Sequence, residues 1–512
     1  MKKQLRLLAI LGAVVVVLGA ALSVVLLTKP EETEDSSSEE SSDTSITLLE
    51  IKKQEESSES ETSVSRITEA VLSVADETYT VCRNEDGQLY VKGFEKLPVE
   101  SASLESLETE LTKIVATQEI KSSGNDADYG LDKPTGTAAV TYYDGTKATL
   151  TLGSAAPQDA GYYFRISGKE GVYLVDSDLA DALTRSSLSY IGTTLYSAPA
   201  VKSDDENGNA VLRDVTMKGP SLDREYSYRM SVEEDGSEFT FSTYVLTYPY
   251  KRSTNTNTLG QSITGATSLY ADAAVVPFPK AEDLKKYGLD TPAITAQIHT
   301  AVQTSATKEP SETSGESETI TSFYNVQEHT LKLSQVKDGA FYALVDDIDC
   351  IYKISASSLP WATLSYEDCV TSLMFLKDIT TVSEMSFTYN GETHRFVLTH
   401  FPDEEDNEKN MAVKMDGKTV TTDYFRSFYQ VLMGVDRAGA APEEPKGSPE
   451  ISFTYTDKDT KKATVIELFP YSASVYIGRF DKGDTFKVRA STVDELLRQY
   501  QNLLDGKEVL LG

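Results

Sequence analysis

Tyr129-Gly130-Leu131-Asp132-Lys133-Pro134 returns almost unchanged as Tyr287-Gly288-Leu289-Asp290-Thr291-Pro292. A hexapeptide repeated in this way marks a chain built from copies of one unit, and that reading governs the fold. Physically the hexapeptide is a helix stop. The stretch Ala281-Glu282-Asp283-Leu284-Lys285-Lys286-Tyr287 favours helix and places basic residues in the last turn, at the negative end of the helix dipole. Gly288 can then turn left-handed, Leu289 supplies the apolar contact of such a cap, and Pro292 forbids resumption. Tyr129, Gly130, Leu131 and Pro134 hold the same places in the first copy, as Tyr287, Gly288, Leu289 and Pro292 do in the second. A structural role is expected for all eight.

Working outward, Asp144-Gly145 is a two-residue hairpin signal between strands at 139–143 and 147–152. Further strands are expected at 161–167 and 172–175, then a helix capped by Asp176 or Ser177 and running through Leu179, Ala182, Leu183 and Leu188. The unit is thus a small antiparallel sheet with a helix laid on it. The second copy repeats the order at 293–299, 329–333, 341–345 and 351–354, with a polar insertion at 303–318 and a helical segment at 358–375. Between the copies, strands are expected at 211–217, 226–230 and 239–245, interrupted by polar stretches at 202–209 and 251–268. The second of these reads as a long loop open to partner contact.

The last part continues in the same manner. Asn390-Gly391 and Asp416-Gly417 signal hairpins, a Thr422-Asp423 cap opens a helix through Phe425, Phe428, Tyr429 and Leu432, and 438–449 is a Pro/Gly-rich joint. Four more strands follow at 451–455, 463–469, 474–479 and 485–489, and Thr492-Val493-Asp494-Glu495 reads as a capping box for a final helix. The fold class is therefore α+β, with units at 67–200 and 201–380 and a third part at 381–512 that repeats the unit in degenerate form.

The amino terminus reads differently. Lys2, Lys3 and Arg6 precede an uncharged run over residues 7–27, the length a helix needs to cross a lipid bilayer. The basic flank is expected to stay in the cytoplasm and the bulk of the chain to lie outside. Residues 1–29 are accordingly a tip and single-pass anchor; a cleaved signal peptide would have a shorter apolar run and an A-x-A-like site. Residues 30–66 are rich in Glu and Ser, with Ile46, Leu48, Leu49, Ile51 and Val64 as the apolar exceptions, and are expected to form a disordered stalk. The formal net charge of −32 argues against nucleic acid as a partner.

The Tyr-Gly-Leu-Asp-x-Pro turn, the Asp-Gly hairpin, Leu152-Gly153, Gly161-Tyr162-Tyr163 and Val172-Tyr173-Leu174-Val175 before a Leu/Ala helix together resemble the bacterial domain-of-unknown-function family DUF 4340. The resemblance is good over 107–195, weaker over 281–376 and faint beyond. It implies an amino-terminal membrane helix and an association with gliding-type ABC exporter components. The family supplies no catalytic residue to carry over.

The chemistry of the side chains points the same way. The four histidines, His299, His329, His394 and His400, form no metal-binding spacing, so neither metal nor other cofactor is expected. Nucleophile-elbow, phosphate-loop and dinucleotide fingerprints are missing from the sequence. Asp176, Asp178 and Asp181 could be acids of a hydrolase, but acidic residues in a first helical turn answer to the dipole. Cys82, Cys350 and Cys369 are too few for a disulfide framework, though Cys350 and Cys369 could pair. Twenty-eight tyrosines and the single Trp361 raise glycan stacking, yet tyrosine also suits the pleated surface. The reading that results is a non-enzymatic, membrane-anchored, extracytoplasmic accessory protein of an ABC-type exporter or envelope assembly. An envelope hydrolase with an acidic site and a glycan-binding surface protein are the alternatives.

Overall fold

Asn390-Gly391 and Asp416-Gly417 both take positive φ at each residue, 50° and 81° in one and 48° and 80° in the other. This is the turn whose twist matches that of the strands it joins. Such turns recur along the computed structural model, which describes residues 45–51 and 66–511 except 122–123, 233–234, 237–238, 240, 264, 309–317, 403 and 405–408. The anchor segment 7–27 and most of the expected stalk lie outside the described residues. Among the described residues no helix is long and apolar enough to cross a membrane.

The first unit begins inside the expected stalk. Strand β1 (Ile46–Glu50) pairs antiparallel with a later strand, Ile46 opposite Ala116, and buries Leu48 and Ile51 in the first core. Those apolar residues are numerous enough to pay for ordering a short segment, which the average composition of 30–66 concealed. A three-stranded meander follows: β2 (Ile67–Val74), β3 (Glu77–Arg83) and β4 (Leu89–Val91). Helix α1 (Ser101–Thr112) buries Leu104, Leu107 and Leu111, spaced three and four apart, and leads into β5 (Lys113–Ala116) and β6 (Gln118–Ile120). The hexapeptide corner comes next, then a second meander, β7 (Gly136–Tyr142), β8 (Lys147–Ala155), β9 (Tyr162–Ile166) and β10 (Val172–Val175). Helix α2 (Ser177–Thr184) closes the unit, its N-cap Asp176 accepting the Leu179 amide at 3.1 Å. The sheet runs β4-β3-β2-β7-β8-β9-β10-β6.

The second unit follows the same plan after a short β11 (Thr194–Tyr196). Its first meander is β12 (Asn209–Lys218), β13 (Tyr226–Met230), β14 (Tyr244–Tyr248) and β15 (Arg252–Ser253). The third of these strands sits later than the 239–245 expected from sequence. A helical turn at Thr256–Gly260 occupies the place of α1; Leu259, Ile263 and Ala266 are buried there, so 251–268 is core-forming rather than an open loop. Then come β16 (Leu269–Tyr270), β17 (Ala273–Pro277), helix α3 (Ala281–Lys286) and the second hexapeptide. The closing meander is β18 (Ile294–Lys308), β19 (Glu318–Leu333), β20 (Ala340–Val345) and β21 (Cys350–Ser355). The expected helix over 358–375 is instead three short turns, at Ala356–Ser358, Pro360–Thr363 and α4 (Tyr366–Cys369). Pro360 restarts one turn and Ser365 caps the next, so the chain breaks where local capping outcompetes continuation. The order is β15-β14-β13-β12-β18-β19-β20-β21-β17.

The third unit has β22 (Val382–Tyr389), β23 (Glu392–His400), β24 (Met411–Met415) and β25 (Lys418–Val420), then helix α5 (Thr422–Met433). Its second meander is β26 (Ile451–Asp457), β27 (Ala463–Ser472), β28 (Val475–Phe480) and β29 (Asp484–Arg489), followed by α6 (Ala490–Leu504). The last helix starts two residues before Thr492, directly from β29, with Arg489 as N-cap and no side-chain cap bond, so the expected capping box does not open it. Thr421 caps α5, likewise without a side-chain bond.

The three large sheets therefore share one connectivity. A first meander, a helix, an edge segment, a second meander and a second helix follow in turn, with short helical turns in place of both helices in the second unit and the first strands of the two meanders adjacent throughout. In the first two units the edge segment is β6 or β17, hydrogen-bonded to the last strand; in the third, Ala438 to Ala440 runs beside β29 in the same place. The repeating unit is thus about twice the four strands and helix legible around each hexapeptide.

Candidate functional site

Both hexapeptides build the same corner. In the first, Leu131 N–H donates to Asp126 O at 2.8 Å and Gly130, with φ 69°, donates to Ala127 O. In the second, Leu289 donates to Leu284 O at 2.7 Å and Gly288, φ 70°, donates to Lys285 O. These are the paired bonds of a Schellman cap. The tyrosines that precede them pack at a tilt against tyrosines of equivalent strands: Tyr129 against Tyr163 at 4.9 Å and Tyr287 against Tyr342 at 4.5 Å between ring centres. Tyr129, Leu131 and Val172 form a small cluster of their own, which explains why β10 is buried on both faces while its Tyr173 and Val175 face the main core. Leu131 and Leu289 are 6% and 3% exposed, so each cap carries its leucine into packed surroundings.

Charge gathers at the junction of the second and third units. Arg252 of β15 and Glu367 of α4 come from the second unit; Arg437 and Asp484 come from the third. Arg437 donates to Asp484 and lies 3.2 Å from Glu367, while Arg252 Nε lies 3.6 Å from the same Asp484 carboxylate. Arg252 also donates to the Met374 carbonyl at 3.0 Å. Its guanidinium lies 4.1 Å from the Phe480 ring centre, and that of Arg437 lies 4.6 Å from Phe486. Asp484 is 1% exposed and Arg252 2%. Burial, then the neighbouring Arg437, draws the Arg252 guanidinium down to about 10. Charges this deep persist only when paired, so the cluster fixes one unit against the other. Backbone bonds reinforce it: Met374 N–H to Val435 O at 3.0 Å and Arg437 N–H to Ser372 O at 2.7 Å.

Above the cluster opens a cleft of about 470 Å³ lined by Phe239, Tyr250, Lys251, Lys377, Asp457 and Phe480. Lys377 Nζ lies 2.6 Å from Asp457, and Asp235 is held by Lys251 at 2.9 Å and a two-pronged Arg229 at 2.7 and 2.8 Å. Burial acts to raise both carboxyls. For Asp457 the Lys377 ammonium and Thr460 donors outweigh it and hold the group well below the usual carboxylate range. For Asp235, Arg229, the Val232 amide and Lys251 prevail and hold it at about 2. Hydrolysis by an acid pair needs a carboxyl kept protonated near neutral pH, and these two are pulled the opposite way. The arrangement clamps chain segments together.

The remaining sequence candidates resolve into structural roles. Asp176 is a helix cap, and with Asp178 it raises Glu110 on α1, whose own burial is the larger cause; these carboxyls line none of the clefts described. Three histidines each face an aspartate through Nδ1: His299 with Asp214 at 2.6 Å, His329 with Asp346 at 2.8 Å and His394 with Asp416 at 2.7 Å. The last two share a local pattern that sequence reading missed. The second carboxylate oxygen of Asp346 or Asp416 accepts the amide of the residue after the histidine, Thr330 or Arg395. Among the described residues no group of three or more metal-binding side chains assembles. Trp361 is 3% exposed, inside the second core, so it offers no stacking platform. Cys350 and Cys369 are free and buried, with burial pushing their thiols up to about 11 and about 12.

A sequence model described as Domain of unknown function (DUF4340) matches residues 91–210 and 245–447, a span that contains both hexapeptide corners and reaches into the third unit. Neither a curated protein nor a solved structure matches the chain. With more than half of the sequence covered by that match, the chain belongs to the DUF4340 family.

Proposed function

We propose that this protein is a non-enzymatic accessory component, anchored in a membrane through residues 7–27, that acts outside the cytoplasm as part of an ABC-type exporter or a cell-envelope assembly. The observation that carries the reading is the threefold recurrence of one sheet order along a single chain. Tandem units of this kind chiefly create an extended surface, which suits a component that is touched by partners. The buried Arg252–Asp484–Arg437 junction supports it, since it holds two units in a fixed relation. The basic residues before the apolar run support the orientation.

The test is affinity capture of the full chain in mild detergent, followed by mass spectrometry. Co-purification of a transporter or envelope component is expected; recovery of neither overturns the reading. Protease treatment of intact cells should digest the chain beyond residue 66, and protection of that part would reverse the assigned topology.

A further inference from the structure

The hairpin of β18 and β19 outgrows its sheet. Strand β12 accompanies β18 only as far as Gln303, and β20 accompanies β19 only along Leu331, Lys332 and Leu333. Yet the two long strands stay paired with each other out to Lys308 and Glu318. At a strand rise of about 3.3 Å, the part of β19 that has no paired strand on its outer side among the described residues is roughly 40 Å long. Such an edge presents unpaired amide and carbonyl groups to any extended chain.

Proteins usually blunt exposed edges with proline or lysine, and residues 318–328 contain neither. A bulge at Asn325, φ 48°, divides the edge and leaves Val326 to Thr330 as the straight segment nearest the sheet. There β20 turns away. The Asp346 amide donates to Thr330 O at 2.9 Å and the Thr330 amide donates to Asp346 Oδ1 at 2.6 Å, so the open edge starts at Glu328, and the pairing between 328 and 330 is unbroken. With a backbone period of two, the amide and carbonyl of Glu328 point to the same outer side as those of Thr330, in the line β20 vacates. Beside this line lies an open trough of about 800 Å³ lined by Glu328, Lys332, Asp346, Asp347 and Asp349. Val326, 46% exposed, is the apolar residue at the far end of the segment.

We infer that the outer edge of β19 at Val326 to Glu328 accepts an extended, basic polypeptide segment of another protein as an added strand, its cationic side chains lying over the acidic trough. Backbone pairing supplies the affinity, and four carboxylates against one lysine select the charge. A second copy of this chain is disfavoured as occupant, because it would bring a net charge of −32 and the same acidic edge. The inference does not depend on the exporter reading and can fail or stand separately from it.

The experiment is fluorescence anisotropy of the full chain in detergent with a ten-residue labelled peptide alternating lysine and valine. Binding is expected, with at least tenfold weaker affinity for the Glu328→Lys/Asp347→Lys variant. Less than a twofold change is expected for Glu443→Lys/Glu444→Lys, an equal charge reversal on exposed residues elsewhere. A peptide of the same sequence with every backbone amide N-methylated should lose binding by a similar factor, since it keeps the charges but has no N–H to pair. Equal weakening by both double variants, or undiminished binding of the N-methylated peptide, would reduce the effect to general charge attraction and overturn the inference. Self-association that Glu328→Lys/Asp347→Lys abolishes would overturn it in favour of a second copy.

Discussion

Replacing Asp484 with alanine removes the anion between two buried guanidinium groups. Arg437 donates to it directly and Arg252 Nε sits 3.6 Å away, while the two arginines already oppose each other's charge. Glu367, 3.2 Å from Arg437, is left to balance both from the half-exposed side. Breaking one partner out of a buried ion pair costs about 3–5 kcal/mol, most of it the penalty of the uncompensated charge that remains. If the second and third units melt together as roughly 300 residues, a loss of about 4 kcal/mol lowers their Tm by about 6 °C. Differential scanning calorimetry reads this directly, and hydrogen exchange at Met374 and Arg437 should accelerate, because both amides bond across the junction. The companion variant Arg252→Met/Arg437→Met/Asp484→Leu/Glu367→Gln should stay within about 1 kcal/mol of the wild type, since a neutral replacement of the whole network leaves no stranded charge. A fall of less than about 1 kcal/mol for Asp484→Ala would refute the reasoning, by showing that the cluster is hydrated enough to tolerate the missing anion.

Other outcomes follow from the same geometry. Gly130→Ala should cost more than Gly288→Ala: a Cβ at Gly130 would meet Ser154 N at 2.8 Å, while one at Gly288 finds only Ser334 Cβ at 3.8 Å. The second change should cost about 1 kcal/mol, for the left-handed φ alone, and urea titration of both variants compares them. Leu48→Ala should destabilise the first unit by about 2–4 kcal/mol, as expected for a buried leucine in a core strand, and an unchanged transition would remove β1 from that core. Asp235 is about 2 in the fold against 3.8 ordinarily, so its contribution is complete above pH 3.8 and lost as the pH falls toward 2. Acid titration of the wild type should therefore be steeper across that window than that of Asp235→Asn. Native thiol labelling should modify Cys82 first and reach Cys350 and Cys369 only on unfolding, because both are buried and their thiols are pushed up.

The local pieces were legible residue by residue. Gly288 after a Lys-Lys turn, Asn390-Gly391 between alternating strands and the Asp176 cap each act through a few neighbouring residues, so their chemistry was readable without any tertiary knowledge. Composition misled where it was averaged: Leu48 and Ile51 vanish among the serines and glutamates of 30–66, yet two buried side chains suffice to hold a strand against β5. Local pattern also failed at 358–375, where Tyr366 and Cys369 are buried but Pro360 and the Ser365 cap break the helix into turns. Long-range strand pairing places each hexapeptide between two meanders of one large sheet and makes the third unit repeat this order without the motif. The junction was equally hidden, because Arg252, Glu367, Arg437 and Asp484 are far apart in the chain and nothing local announces that they will share one desolvated space. Short-range capping and turn preferences are written residue by residue, whereas strand neighbours and buried ion pairs depend on which distant segments exclude water together.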